Sequence, residues 1–102
     1  MDIRDTLKDR ATTHGSYQVN ACCAQDLKTI IWTHTSPGRV RIPAVDYALE
    51  MFCNKIARIV AGNPMEPDHW RDIAGYATLV VDTLERIEKE RKNVGDNSRT
   101  SE

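Results

Sequence analysis

Residues 43–92 read PAVDYALEMFCNKIARIVA (43–61), GNPME (62–66), PDHWRDIAGYATLVVDTLERIEKERK (67–92), and this stretch decides the fold. Pro43 suits the first turn of a helix, where a missing N–H costs nothing. Ala44, Ala48, Met51, Phe52, Ile56, Ile59 and Val60 follow at helical period and form a wide apolar stripe. Gly62, Asn63 and Pro64 stop that helix. A second helix starts at Pro67, with a stripe of Trp70, Ile73, Ala74, Ala77, Val80, Val81, Leu84 and Ile87. Glu66 and Asp68 lie at its positive end, and Lys89, Arg91 and Lys92 at its negative end, as the helix dipole favours. A connector this short makes the two helices antiparallel neighbours.

Working outward, Ile3, Leu7 and Ala11 mark a short helix over about 2–12. Gly15 and Ser16 offer a stop and a cap. Val19, Cys23, Leu27, Ile30 and Ile31 mark a helix over 16–32, ended by Thr33 to Gly38. Arg39 to Ile42 alternates charged and β-branched residues. That pattern suits an extended segment, for which the chain offers no partner strand. The expectation is an all-α fold: a small helical bundle built on an antiparallel hairpin, with helix 16–32 packed across it and oligomers expected from the modest core. Residues 1–92 form a single domain in this reading, and the polar tail 93–102 is disordered.

The chain has 102 residues, 14 basic and 15 acidic, for a net charge of −1. That balance argues against nucleic-acid binding, which usually shows as a basic excess. Three cysteines, two of them adjacent, neither frame disulfides nor space a zinc site. No signal peptide or membrane span is legible in the sequence. A cytoplasmic protein is expected.

Three groups of residues can carry chemistry. Asp68, Asp72 and Tyr76 fall at i, i+4 and i+8, with His69 facing the same side. Carboxylates one turn apart can hold magnesium or manganese, or can serve only as a helix N-terminal charge and an ion-pair partner. Glu50, Asn54 and Arg58 form a second line, with Lys55 beside Arg58. In an antiparallel hairpin these bases come near Asp68 and Asp72, either to lock the helices or to hold a phosphate. Thr13-His14-Gly15-Ser16, followed by Tyr17, can present backbone N–H groups to an anion or act as a plain cap. Gly75 interrupts a helix at about 1 kcal/mol against alanine, which predicts close approach of another helix or of a ligand, with helix packing the expected cause.

The block Tyr47 to Pro64, then Asp68-His-Trp-Arg-Asp-Ile-Ala-Gly-Tyr-Ala, with the upstream Thr-His-Gly, resembles a family of small phage and prophage proteins of unassigned function. The likeness covers roughly residues 10–90. More distantly it is similar to the MazG-like all-α nucleoside triphosphate pyrophosphohydrolases. Those enzymes place Glu-x-x-Glu on one helix and Glu-x-x-Asp on the next to hold magnesium on a triphosphate. Carried over, Glu50 matches the first acid and Asp72 the last. Cys53 and His69 stand at the two positions between them, where the pattern has acids, and Asp68 is a partial substitute for the missing charge. The resemblance implies a bacterial-host cytoplasm, a nucleotide ligand and a homo-oligomer. Glu50 and Asp72 become catalytic candidates; Glu50, Asp68, His69 and Asp72 metal ligands; and His14, Lys55, Arg58 and Tyr76 ligand-binding residues, with Tyr17 or Trp70 near a base. The alternatives are a nucleotide-sequestering protein without catalysis, and a helical protein-interaction module.

Overall fold

The computed structural model of the chain describes residues 2–14 and 16–100, with side chains at 2–8 and 16–94. Four helices follow in order: α1 (Ile3–His14), α2 (Tyr17–His34), α3 (Pro43–Ala61) and α4 (Pro67–Thr100). Among the described residues there is no strand. The fold is an all-α helical bundle, and no described helix is long and apolar enough to cross a membrane.

Local chemistry sets the helix ends. Pro43 occupies the first turn of α3. The N–H groups of Val45 and Asp46 both donate to Ile42 O at 3.0 Å. At the other end Gly62 N–H closes on Arg58 O at 3.0 Å. The connector folds around Asn63, whose Oδ1 accepts from Met65 N at 3.0 Å. Trp70 pins itself to the connector by donating Nε1–H to Pro64 O at 3.1 Å.

Three ends fall beyond their predicted places, the first being α1, which runs to His14 rather than stopping near residue 12. α2 continues past Trp32 because His34 Nδ1 donates to Ile30 O and Thr35 Oγ1 to Ile31 O, at 2.9 and 2.8 Å. Those side chains satisfy carbonyls that a helix end otherwise leaves open. α4 runs on to Thr100 rather than stopping near Lys92. A polar run is not in itself a stop signal, and in 93–100 only Gly95 strongly disfavours a helix, by about 1 kcal/mol. Ser16 makes no side-chain cap on α2, and Gly15 lies outside the described residues.

α3 is the centre of the structure. It packs against α2 on one side and α4 on the other, whereas α2 and α4 make no contact among the described residues. So α2 does not cross the hairpin, as the sequence suggested; it lies beside α3 alone. α1 touches α2 and α3. Both neighbours of α3 are antiparallel to it. Lys55 meets Asp72 and Tyr47 meets Tyr76 on the α4 side, while Asp46 is joined to Trp32 through two arginines on the α2 side. The buried positions reflect this arrangement: five of the seven buried described residues (Ala48, Cys53, Lys55, Ala57 and Ile59) belong to α3.

The α2–α3–α4 row presents two broad faces, with α1 against its α2–α3 part. At about 100° per residue, one face carries Val19, Leu27 and Ile30 of α2, Val45, Leu49, Ile56 and Val60 of α3, and Trp70, Ala77, Val81 and Leu84 of α4. The other carries Gln18 and Gln25, then Glu50, Asn54 and Arg58, then Asp68, Asp82 and Arg86, with Leu79 its apolar exception. One face is thus apolar and the other polar. On the apolar face Val19, Ile30, Ile56, Val60, Trp70, Val81 and Leu84 are all exposed. The molecule measures 68 × 29 × 24 Å with a radius of gyration of 19.1 Å, against about 13 Å for a compact chain of this length. Its accessible surface is 7865 Å², whereas a compact monomer of this mass exposes about 5,800 Å².

Candidate functional site at the α3–α4 seam

The polar side of the seam is organised by one ion pair. Lys55 Nζ lies 2.8 Å from Asp72 Oδ2. The lysine is 8% exposed, and the Asp72 side chain 47%. A lysine tolerates such a place because its long stem covers apolar surface while the ammonium finds a carboxylate. The hydrogen bond from Lys55 holds the Asp72 carboxyl below its ordinary pKa against the opposing effect of desolvation. The charges of Lys55, His69 and Arg58 add to the lowering.

One turn on, the Tyr47 and Tyr76 rings meet edge to face, with centroids 6.0 Å apart at 71°. Burial raises the Tyr76 phenol pKa, and the neighbouring Tyr47 and Asp72 raise it further. Seen from the polar face, the seam offers a lysine, an arginine, a carboxylate and two phenols within about two turns of helix. Such a surface can hold an anion by charge and a flat ring by stacking.

The predicted residues divide on this geometry. Lys55, Asp72, Tyr76 and the charge of Arg58 come together. Asp68 turns to Arg71 instead, with Oδ1 2.9 Å from Nη1 and both side chains exposed. His69 is buried, at 2% exposure. Glu50 is exposed on the polar face of α3. Among the described residues no three His, Cys, Asp or Glu side chains converge as a cation would require. Cys53, at the position of the second acid in the resembling pattern, is buried on the α2 side of α3, where burial raises its thiol pKa and the charge of Lys28 partly offsets this. The side chain of His14 lies outside the described residues. Tyr17 is exposed, and Trp70 is exposed on the apolar face, away from Lys55. The space where a Cβ on Gly75 would stand is open for 4 Å, so the helix packing its presence suggested does not occur. Gly75 sits on the open polar face.

A further cluster escaped the sequence reading. Arg39 Nη2 donates to Asp46 Oδ1, and Arg41 Nε donates to Asp46 Oδ2 at 2.7 Å. The two guanidinium carbons lie 5.9 and 5.0 Å from the Trp32 ring centroid. Asp46 is held below its ordinary pKa, first by Arg39 and then by Arg41. The signal was present in the sequence. In an extended segment, residues two apart share a side, and Asp46 stands in the first turn of the next helix. Trp32, Thr35, Ser36, Pro37, Arg39 and Arg41 line a recess of about 500 Å³ here.

Comparison with curated proteins and with solved structures gives no match. A family model does match, over residues 4–84, from α1 into the middle of α4. The chain belongs to that family, DUF6378, a domain of unknown function.

Proposed function

We propose that the chain is a nucleotide-binding protein that works as a homo-oligomer, closed through the apolar face of its helical layer with the polar face left to the ligand. The observation that carries this reading is the segregation of the two faces. Seven large apolar side chains stand exposed on that one face, and a stable pair needs about 800 Å² from each partner. A second copy is the natural cover, because an identical apolar face is complementary to itself across a twofold axis.

On the polar face, Arg58 supplies charge for a phosphate and Tyr76 an aromatic edge, while the buried Lys55 ammonium neutralises the Asp72 carboxylate beside them. The resemblance to phage proteins and to MazG-like pyrophosphohydrolases supports the nucleotide class and a bacterial cytoplasm. Sequestration without cleavage is the form favoured here, because Arg58 reaches the polar face while two positions of the acid pattern hold Cys53 and His69, both buried. Pyrophosphate release with magnesium or manganese is the narrower form, with Glu50 and Asp72 contributing. It requires further acids brought to them by a second copy. A helical module that binds a different protein is the second reading, favoured by the same exposed apolar face.

Light scattering on the eluting protein, with a thermal-shift screen of nucleotides with and without magnesium or manganese, tests the proposal. A dimer or larger species, stabilised by a nucleotide in wild type and not in Arg58→Gln, supports it. A monomer that no nucleotide stabilises overturns it. Product analysis then separates cleavage from sequestration.

A further inference from the structure

We propose that the recess formed by Trp32, Arg39 and Arg41 is a second, separate site for a phosphate monoester. It depends neither on self-association nor on a ligand at the α3–α4 seam. The first argument is charge. Two guanidiniums face one carboxylate, and Asp46 is held in its charged form by both, so the cluster keeps one net positive charge. The second is the donor inventory. Each guanidinium has five N–H groups in a fixed fork. Arg39 gives Nη2 to Asp46 and Arg41 gives Nε, which leaves the outer edge of Arg41, a largely exposed side chain, free of that carboxylate. A guanidinium edge matches two phosphate oxygens at once.

The third argument is preorganisation. Asp46 holds the arginines from the α3 side and the Trp32 ring lies under both, so they are already fixed before a ligand arrives. A site fixed in advance loses little conformational freedom on binding. The recess, at about 500 Å³, exceeds what phosphate alone needs and lies in the range of small-molecule sites. Ser36 adds a hydroxyl and Pro37 an apolar wall for the organic part of the ester. A cluster that only stapled the α2–α3 connector would need one arginine for its one carboxylate. The second arginine and the open recess point to a ligand.

The test follows Trp32 fluorescence in the full-length Trp70→Phe protein, titrated with inorganic phosphate and with adenosine 5′-monophosphate at constant ionic strength. A saturable change with either probe is expected, weakened about tenfold or more in Arg41→Gln, the loss of a charge-assisted contact. Arg41→Lys keeps the charge but not the fork, and is expected to weaken binding while retaining the parent melting temperature within a few degrees. No saturable change with either probe overturns the proposal. So does an Arg41→Lys protein that binds both as tightly as its parent.

Discussion

Lys55 and Asp72 meet at 2.8 Å across the α3–α4 seam, yet the lysine is buried and the carboxylate is half in water. The pair is therefore asymmetric. Removing the carboxylate strands an ammonium in a place where it cannot hydrate, whereas removing the lysine leaves a carboxylate that can.

Asp72→Asn should thus destabilise the protein more than Lys55→Met does. Methionine fills the lysine's channel without a charge to satisfy, and the parent and Lys55→Met should agree within about 1 kcal/mol. Urea denaturation of both variants checks the order. A reversed order would mean that the Lys55 head reaches water by another route.

Acid should expose the same chemistry. Asp46 and Asp72 are both held below the ordinary carboxylate pKa, Asp46 by its two arginines and Asp72 by Lys55. A depressed carboxylate contributes stability above its unfolded pKa and loses it as pH falls through the folded value. The melting temperature should hold from neutral pH down to about 4 and fall below that. An Asp46→Asn, Asp72→Asn double variant should start lower and fall less steeply. Equal slopes in the two proteins would show that other carboxylates set the acid limb.

Gly75 is the most direct test of the polar face. With open space around its Cβ position, Gly75→Ala should stabilise α4 by about 0.5–1 kcal/mol, the helix-propensity difference. Nucleotide binding measured on the same variant gives a second result. A stabilised protein that has lost nucleotide binding would show that the glycine leaves room for a ligand there.

The helix bounds were legible where a residue forces the backbone: Pro43 and Pro67 at helix starts, Gly62 and Pro64 between them. The 3.6-residue period also separated apolar stripes from polar lines. It could not say what each part of a stripe touches. Met51, Ile56 and Val60 fall on one predicted stripe, yet the side of α3 that includes Ile56 and Val60 meets neither α2 nor α4. The place of α2 beside α3 was hidden for the same reason. At the seam, Lys55 with Asp72 followed from antiparallel spacing, but the turn of Asp68 to Arg71 and the burial of His69 did not. Those depend on which way the helix is rotated, by tens of degrees, and no local pattern sets that rotation. In the Trp32–Arg39–Arg41–Asp46 cluster the pairing of two arginines with Asp46 lay within reach of local spacing, but Trp32 joins it only because α2 lies against α3.

The apolar face makes the last prediction. Ile56 and Val81 are exposed on adjacent helices of that face, and neither takes part in the ion pairs of the seam. In a twofold pair each copy contributes seven exposed apolar side chains to the contact. Half-exposed side chains recover about 1 kcal/mol each on burial, enough together to offset an association cost of about 4–15 kcal/mol. A charge placed at the centre of the contact must be desolvated without a partner. Ile56→Glu and Val81→Glu should each shift the protein to monomer in sedimentation at micromolar concentration, and should abolish the rise of melting temperature with protein concentration that a dimer shows. Because both positions are open to water in the single chain, the monomers should keep their helical circular dichroism. A wild type that is monomeric, with a melting temperature independent of concentration, would instead hand this face to a different protein.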